Sequence, residues 1–264
     1  GVERMNGSLA QCIALTAYGR AILTGRMEPV ELLTNNTTFQ YVRELKFLDQ
    51  TGNIACKDTL RWFAALKRRG ATALKLIERS VKTDLPDHLG VAFAGFDPWG
   101  IQVDLRAKHE MWVPTWDVAR KNTKSKRIWE VTYWCVDLIP SPEQDDVPRA
   151  SAALRGALEE IRDFAGVAAN HWVAWFNKAL ECLESDREIP YHPDLLPNVG
   201  YSRAARRLVA AASQAWVYGG MGSWNDIGVE ESQQSQYEVC SERLYRAVIG
   251  ACCAATNSFD DTAA

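Results

Sequence analysis

The sequence predicts an α+β protein, in which an N-terminal antiparallel β-meander with flanking helices packs against a C-terminal helical bundle. Three observations support this expectation. Alternating polar and apolar residues, typical of half-buried strands, occur before residue 140. After a proline-rich acidic stretch at residues 141–148, the periodic segments have helical spacing. Hydrophobic residues make up 47% of the 264 residues and include ten tryptophans, so we expect a large core.

We expect one domain over residues 1–264, with a sheet-containing sub-region at 1–140 and a helical sub-region at 141–264. In the first sub-region, apolar spacing over residues 9–22 predicts a packed helix. Alternation over residues 39–48 predicts a strand. The apolar stripe over residues 58–80 predicts one long helix, which begins at Asp58 as N-cap and has a basic outer face at residues 67–69.

Four further segments predict two β-hairpins. Pro and Gly at residues 97–100 supply the tight turn of the first hairpin, and residues 119–126 connect the strands of the second. The sheet is therefore expected to be a five-stranded antiparallel meander. The four strands are residues 91–96, 101–106, 111–118 and 127–138.

The second sub-region predicts four helices and a frayed C-terminus. Pro148 suits the first turn of one helix, and Ser202 is the expected N-cap of another. We expect the chain after residue 257 to be frayed. The four helices span residues 148–166, about 170–183, 203–216 and 237–255.

The composition indicates the cellular compartment of the protein and argues against several kinds of site. Seven cysteines are an odd number without a CxxC pair, which is typical of buried thiols in a reducing compartment, and we expect a cytoplasmic protein. No stretch is apolar enough over about 18 residues to span a bilayer, so no membrane association is expected. No metal site and no cofactor are expected, because the four histidines lack paired spacing.

Charge is distributed unevenly along the chain. The net charge of −3 divides into +5 for residues 1–140, with 20 basic and 15 acidic residues, and −8 for residues 141–264, with 10 and 18. Two interpretations remain open. The split marks a face that binds a partner, or the two halves attract each other across their junction.

The hairpin of residues 111–118 and 127–138 carries one candidate binding surface. If the numbers of paired residues sum to about 245, Trp112 lies opposite Tyr133 and Trp116 opposite Trp129, all on one face. Aromatic rings beside cations can hold single-stranded nucleic acid. The alternative is that helices cover this face as part of the core. The connecting segment supplies the positive charges of Arg120, Lys121 and Lys124.

A glycine-rich loop carries the second candidate site. Gly219, Gly220 and Gly222 would let backbone amides approach a ligand, with Trp224 beside them, and Asp226 is the candidate catalytic acid, base or metal ligand. The loop follows a helix and lacks the lysine of a phosphate-binding loop, so neither nucleotide fingerprint applies. The alternative is a helix C-cap followed by a loop that Trp224 pins to the core.

Asp104, His109 and Glu110 form a weaker candidate acid–base cluster at a strand start, whereas His88 and His192 lie in proline-containing loops with no evident partner. Serine-hydrolase, kinase, dinucleotide and metalloprotease signatures are absent from the sequence.

The function expected from these features is that of a soluble binding protein that recognises a macromolecular partner. One alternative is an enzyme that acts on a small molecule in a cleft between the two halves, with Asp226 as its first candidate. A second alternative is binding of single-stranded nucleic acid or an anionic ligand by the aromatic and basic hairpin. The sequence assigns neither the partner nor an oligomeric state.

Overall fold

Six strands form one mixed sheet in the computed structural model, which describes residues 5–79, 98–119, 126–137, 143–219 and 222–262. Across the sheet the order is β2-β1-β6-β5-β4-β3, so β2 and β3 are the edge strands. The strands are β1 (Val42–Leu48), β2 (Ile54–Cys56), β3 (Ala71–Glu78), β4 (Trp99–Leu105), β5 (His109–Val118) and β6 (Trp129–Val136).

The described residues also form seven α-helices, three before β4 and four after β6, which confirms the predicted α+β class with strands in the first half and a helical bundle in the second. These helices are α1 (Gly7–Leu23), α2 (Leu32–Asn35), α3 (Thr59–Arg68), α4 (Val147–Ala168), α5 (Val173–Glu184), α6 (Arg203–Gln214) and α7 (Gln234–Asn257).

The sheet combines an antiparallel meander with one parallel pair. Strands β3 to β6 pair antiparallel in chain order, and the pairing of β5 with β6 confirms the second predicted hairpin. The tight turn predicted at residues 97–100 is wrong in its second half, because Trp99 and Gly100 begin β4 and lie opposite Glu78 and Ile77 of β3. Strand β1 instead lies parallel to β6, with Phe47 opposite Tyr133, and β2 pairs antiparallel with β1. The alternation of residues within a strand does not show which distant strand will pair with it. The parallel pairing of β1 with β6 could therefore not be predicted from the sequence pattern.

The long helix predicted over residues 58–80 is wrong in its second half. Asp58 does cap α3, because its Oδ1 accepts a hydrogen bond from the amide of Arg61 at 2.7 Å. The helix ends at Arg68, and Gly70 two residues later has a φ of +74°, a left-handed conformation that glycine adopts without a Cβ penalty. The following residues form β3, in which Leu74 and Leu76 face the core. The predicted strand at residues 91–96 lies outside the described residues.

The hairpin of β5 and β6 is confirmed, but its expected register is wrong by two residues. Trp112 lies opposite Cys135, Tyr133 opposite Pro114, and Trp116 opposite Val131. Because side chains alternate with a period of two, this shift keeps the four aromatic residues on one face of the sheet.

Helix α1 lies between the sheet and the bundle. It contacts β3 and β4 on one side and α7 on the other, and it is buried along almost its whole length. A Cβ added to Gly19 would lie 2.7 Å from the side chain of Leu74, so glycine permits this close approach of helix and strand. One continuous hydrophobic core includes residues from both halves of the chain.

The C-terminal segment is anchored, contrary to the expected fraying. Phe259 is 5% exposed and packs edge-on against Tyr201 with ring centroids 5.3 Å apart. The amide of Asp260 donates to the carbonyl of Gly200 at 2.8 Å, and Asp261 pairs with Arg20. An aromatic anchor and an ion pair therefore hold residues 258–261 on the surface of α1 and the loop before α6.

Candidate functional site

The glycine-rich loop is fixed by a buried tryptophan. Trp224 has no exposed surface, and its Nε1 donates to Ser241 Oγ at 2.7 Å. The Trp224 ring makes edge contacts with Phe176 at 5.2 Å and with Trp172 at 5.9 Å between centroids. This geometry agrees with the alternative in which Trp224 pins the loop to the core.

The candidate catalytic residue of that loop, Asp226, is exposed. Its Oδ2 accepts a hydrogen bond from the amide of Gly222, at 2.9 Å, where φ is +81°. Gly219 is half-buried and its carbonyl accepts from Ser223 Oγ, whereas Gly220 lies outside the described residues. The carboxylate of Asp226 thus closes its own turn. Within the described ranges, no three metal-ligating side chains converge.

The aromatic face of the hairpin divides into a buried part and a half-buried part. Trp112 is 3% exposed and Tyr133 has no exposed surface, and both pack against Phe47 under α3. Trp116 and Trp129 are half-buried, with ring centroids 5.6 Å apart. Helices therefore cover the inner pair of aromatics. The basic residues Arg120, Lys121 and Lys124 lie outside the described residues.

The candidate acid–base residues lie on opposite faces of the sheet. His109 and Asp104 face each other across β5 and β4, with 2.7 Å between Nδ1 and Oδ1. Lys75 approaches the other carboxylate oxygen of Asp104 at 3.3 Å. Burial alone would raise the pKa of Asp104, but hydrogen bonds from Gln102, His109 and Lys75 outweigh it and hold the pKa below its ordinary value.

Glu110 points to the other face, where it is 3% exposed and binds two cations. Its Oε1 accepts from Arg69 Nη2 at 2.5 Å and from Lys108 Nζ at 2.8 Å. Burial would raise the pKa of Glu110, but the bonds to these cations outweigh it and lower the pKa. Burial, and then the charge of Glu110, raise the pKa of the neighbouring Cys135 thiol to about 12.

Further exposed cations lie at the same end of the sheet as this buried carboxylate. Gly70 leads from α3 into β3, and Arg106 Nε lies 3.8 Å from where a Cβ of Gly70 would be. The last turn of α3 and the turn between β4 and β5 therefore meet at one end of the sheet. We call their five exposed basic residues the basic patch; these are Lys67, Arg68, Arg69, Arg106 and Lys108.

Among the described residues, the basic patch has an excess of positive charge. Its five cations, together with Glu110, the one carboxylate of the described chain that forms ion pairs with them, give a formal charge of +4. No carboxylate in the described part of the chain forms an ion pair with Lys67, Arg68 or Arg106. A concentration of one charge sign at a surface produces a field that attracts oppositely charged partners.

The two halves of the chain are joined by ion pairs that lie away from the basic patch. Arg20 of the first half pairs with Asp261 of the second, and Arg246 of the second half pairs with Glu78 of the first at 2.9 Å. The basic surplus of the first half at the patch is therefore not offset by these contacts.

Among the described residues of the helical half, two surface clefts are lined by arginines. One, of about 270 Å³, is between α4 and α7, where Arg243 and Arg246 rim a floor of alanine and glycine. The other, of about 310 Å³, lies beside the start of α6, where Arg203 and Arg207 both pair with Asp186. Arg243 pairs with Glu160, and Arg246 pairs with Glu78 and Glu242, so the arginines of both clefts are already paired with carboxylates.

His192, for which the sequence suggested no partner, has one. Its Nδ1 lies 3.0 Å from Thr37 Oγ1, which also bonds to a carboxylate oxygen of Asp194. Tyr18 donates its hydroxyl to the carbonyl of Asp194 at 3.0 Å. Next to this cluster Tyr191 has a φ of +65°. These bonds attach the loop before α6 to the first half of the chain. His88 lies outside the described residues.

Comparison with known proteins identifies no relative: no family model, no curated protein and no solved structure matches this chain. In the described residues, no helix combines the length and apolar character needed to cross a membrane.

The sequence alone identified three of the five residues of the basic patch. The run of residues 67–69 was visible as a basic helix face. Its proximity to Arg106 and Lys108 depends on the pairing of β3 with β4, which places Ala71 opposite Leu105. The helix predicted over residues 58–80 excludes strand β3 and its pairing with β4. The sequence therefore did not predict that the five cations lie together.

Proposed function

We propose that this protein is a binding protein that recognises an anionic macromolecular partner through the basic patch. The observation that carries this proposal is the cluster of five exposed cations at one end of the sheet, which keeps a formal charge of +4 after the buried carboxylate of Glu110 is counted. Electrostatic attraction of this kind accelerates encounter with a partner of opposite charge and contributes to its selection.

The placement of the charges supports binding rather than a role in folding. Lys67, Arg68 and Arg106 have no carboxylate partner in the described residues, so their charges contribute no ion pair to the fold. Their local repulsion is a cost that a bound anion would remove. Ion pairs with Glu110 hold the side chains of Arg69 and Lys108 in place. These two side chains therefore lose less conformational entropy when a partner binds.

The direct test is a binding assay with three anionic polymers: heparin, polyglutamate and duplex DNA. Two double variants with the same change in charge are compared. Arg68→Glu/Arg106→Glu alters the patch, and Arg149→Glu/Lys178→Glu alters exposed cations on α4 and α5. Circular dichroism and thermal unfolding establish that each variant is folded.

We expect the wild type to bind at least one polymer at about 50 mM salt, because surface electrostatics are weakly screened at low ionic strength. The patch variant should bind it at least tenfold more weakly, and the control variant should resemble the wild type. Failure of all three polymers to bind, or an equal loss in both variants, would contradict the proposal.

We also infer a cytoplasmic location. All seven cysteines are free and buried, and none forms a disulfide, which fits a reducing compartment. Alkylation of protein extracted under acid-quenched conditions should recover seven free thiols, whereas recovery of a native disulfide would contradict the inference.

A further inference from the structure

The surface of the basic patch is almost entirely charged. The apolar side of α3, with Trp62, Phe63 and Leu66, is buried against the sheet. The apolar residue in the turn between β4 and β5 is the small Ala107. Leu60, the large exposed apolar residue of α3, lies about two turns before Lys67.

This composition distinguishes between classes of anionic partner. Protein–protein interfaces are depleted of charged residues at their centre, where apolar and aromatic side chains are desolvated. Protein–nucleic acid interfaces are far more positively charged. A patch of five cations without a large apolar centre therefore suits phosphates better than an acidic protein surface.

The same composition distinguishes duplexes from single strands. Single strands are held by stacking of their bases on aromatic rings beside a basic groove. The basic patch contains no aromatic side chain, and the aromatic residues beneath it, Trp62 and Trp112, are 1% and 3% exposed. Contacts are thus restricted to the phosphate backbone, which carries no base sequence by itself.

The side chains of the patch are suited to phosphate. Three of the five are arginines, whose planar guanidinium donates two parallel hydrogen bonds to phosphate oxygens. Arg69 and Lys108 share Glu110 Oε1, so their charged groups lie side by side. Arg106 lies over Gly70, on the same end of the sheet.

We propose that the basic patch binds the phosphate backbone of duplex nucleic acid and does not read its base sequence. This inference rests on the proposed function and names the class of partner. Each phosphate contact releases counterions, so about five contacts give a slope of log K against log salt of about −4.5.

The experiment is fluorescence anisotropy with labelled duplexes of about 20 base pairs, titrated between 50 and 200 mM NaCl. Two duplexes of unrelated sequence, a single strand of equal phosphate number and polyglutamate of equal charge serve as probes. We expect the two duplexes to bind within threefold of each other and more tightly than the other probes. Arg68→Glu/Arg106→Glu should reduce the slope by about 2, and Arg149→Glu/Lys178→Glu should leave it unchanged.

Each outcome decides between the two proposals. Tighter binding of polyglutamate or of the single strand overturns the duplex assignment and leaves the anionic partner of the proposed function intact. A slope near zero, or a strong preference for one duplex sequence, also overturns the duplex assignment. Failure of every anionic probe, heparin included, overturns both.

Discussion

The side chain of Asn257, the last residue of α7, forms two hydrogen bonds with the backbone of Leu76 at the outer edge of strand β3. Its Oδ1 accepts from the Leu76 amide at 2.7 Å, and its Nδ2 donates to the Leu76 carbonyl at 2.8 Å. Gln144 donates a second hydrogen bond to that carbonyl at 3.0 Å. An unpaired strand edge is a site of unwanted pairing with other chains, and here a helix terminus covers it.

Replacement of Asn257 by alanine is therefore expected to destabilise the fold by about 1–3 kcal/mol, because the buried amide of Leu76 loses its acceptor. Urea unfolding measures the loss, and hydrogen exchange should show faster exchange at Leu76. Asn35→Ala is the matched control, since Asn35 is exposed and bonds locally to Glu31, and its effect should stay within about 0.5 kcal/mol. Equal effects of the two substitutions would refute this account of the edge.

Glycine-to-alanine substitutions at two positions are expected to change stability in opposite directions. Gly70 has a φ of +74°, so Gly70→Ala should cost about 1–2 kcal/mol. Gly166 is exposed within α4 and has no atom within 4 Å of an added Cβ, so Gly166→Ala should stabilise by about 0.5–1 kcal/mol. Urea unfolding of both variants checks the signs, and a shift of the same sign in both would show that backbone conformation does not control these sites.

Glu110→Gln is expected to lower the stability at pH 7 by about 1–2 kcal/mol. The carboxylate loses its charge while Arg69 and Lys108 remain partly solvated, which limits the cost. The pKa of Glu110 is lower in the folded chain than its ordinary value, so its contribution is present at neutral pH. The contribution is lost as the pH falls through the lowered pKa.

The difference in unfolding free energy between wild type and Glu110→Gln should therefore shrink on acidification. Glu184→Gln serves as a control, because its pair with Arg155 is exposed and is expected to contribute less than about 0.5 kcal/mol. A difference that grows toward low pH would mean that the pKa of Glu110 is raised rather than lowered.

The thiols are expected to be inert in the folded protein. All seven cysteines are buried, and burial raises the pKa of Cys240 and Cys252 to about 12, with the charge of Glu160 adding to the effect at Cys240. At pH 8 about one thiol in ten thousand is then ionised, and the thiolate is the reactive form. A thiol-reactive dye should label the native protein slowly and all seven positions quickly in denaturant. Rapid native labelling of any cysteine would contradict the described burial.

Local sequence signals predicted most of the helices and strands, but not β2, β3 or α2, and they did not predict which distant strands pair. Ser202 accepts from the amide of Ala205 at 3.1 Å, as expected of an N-cap, and the alternation around Trp112 predicted β5. Strand β3 was missed because Leu74 and Ile77 satisfy a helical stripe as well as a strand pattern, and only the conformation of Gly70 separates the two.

For the candidate surfaces as well, the sequence predicted the local features but not the contacts between distant segments. The sequence identified aromatic residues that share a face, but not which of them are covered, because α3 determines that by packing Trp62 against Trp112 at 5.6 Å. It likewise identified a basic helix face without the cations that β4 and β5 bring beside it. Charge clusters made by tertiary pairing have no linear pattern.

Lysine footprinting tests the central claim, that the basic patch is the binding surface, most directly. Acetylation rates are measured by mass spectrometry with and without a saturating anionic polymer that the protein binds. We predict that Lys67 and Lys108 become labelled at least fivefold more slowly, while exposed Lys178 on α5 is labelled at its original rate. Protection of Lys178 with no protection of Lys67 and Lys108 would contradict the account.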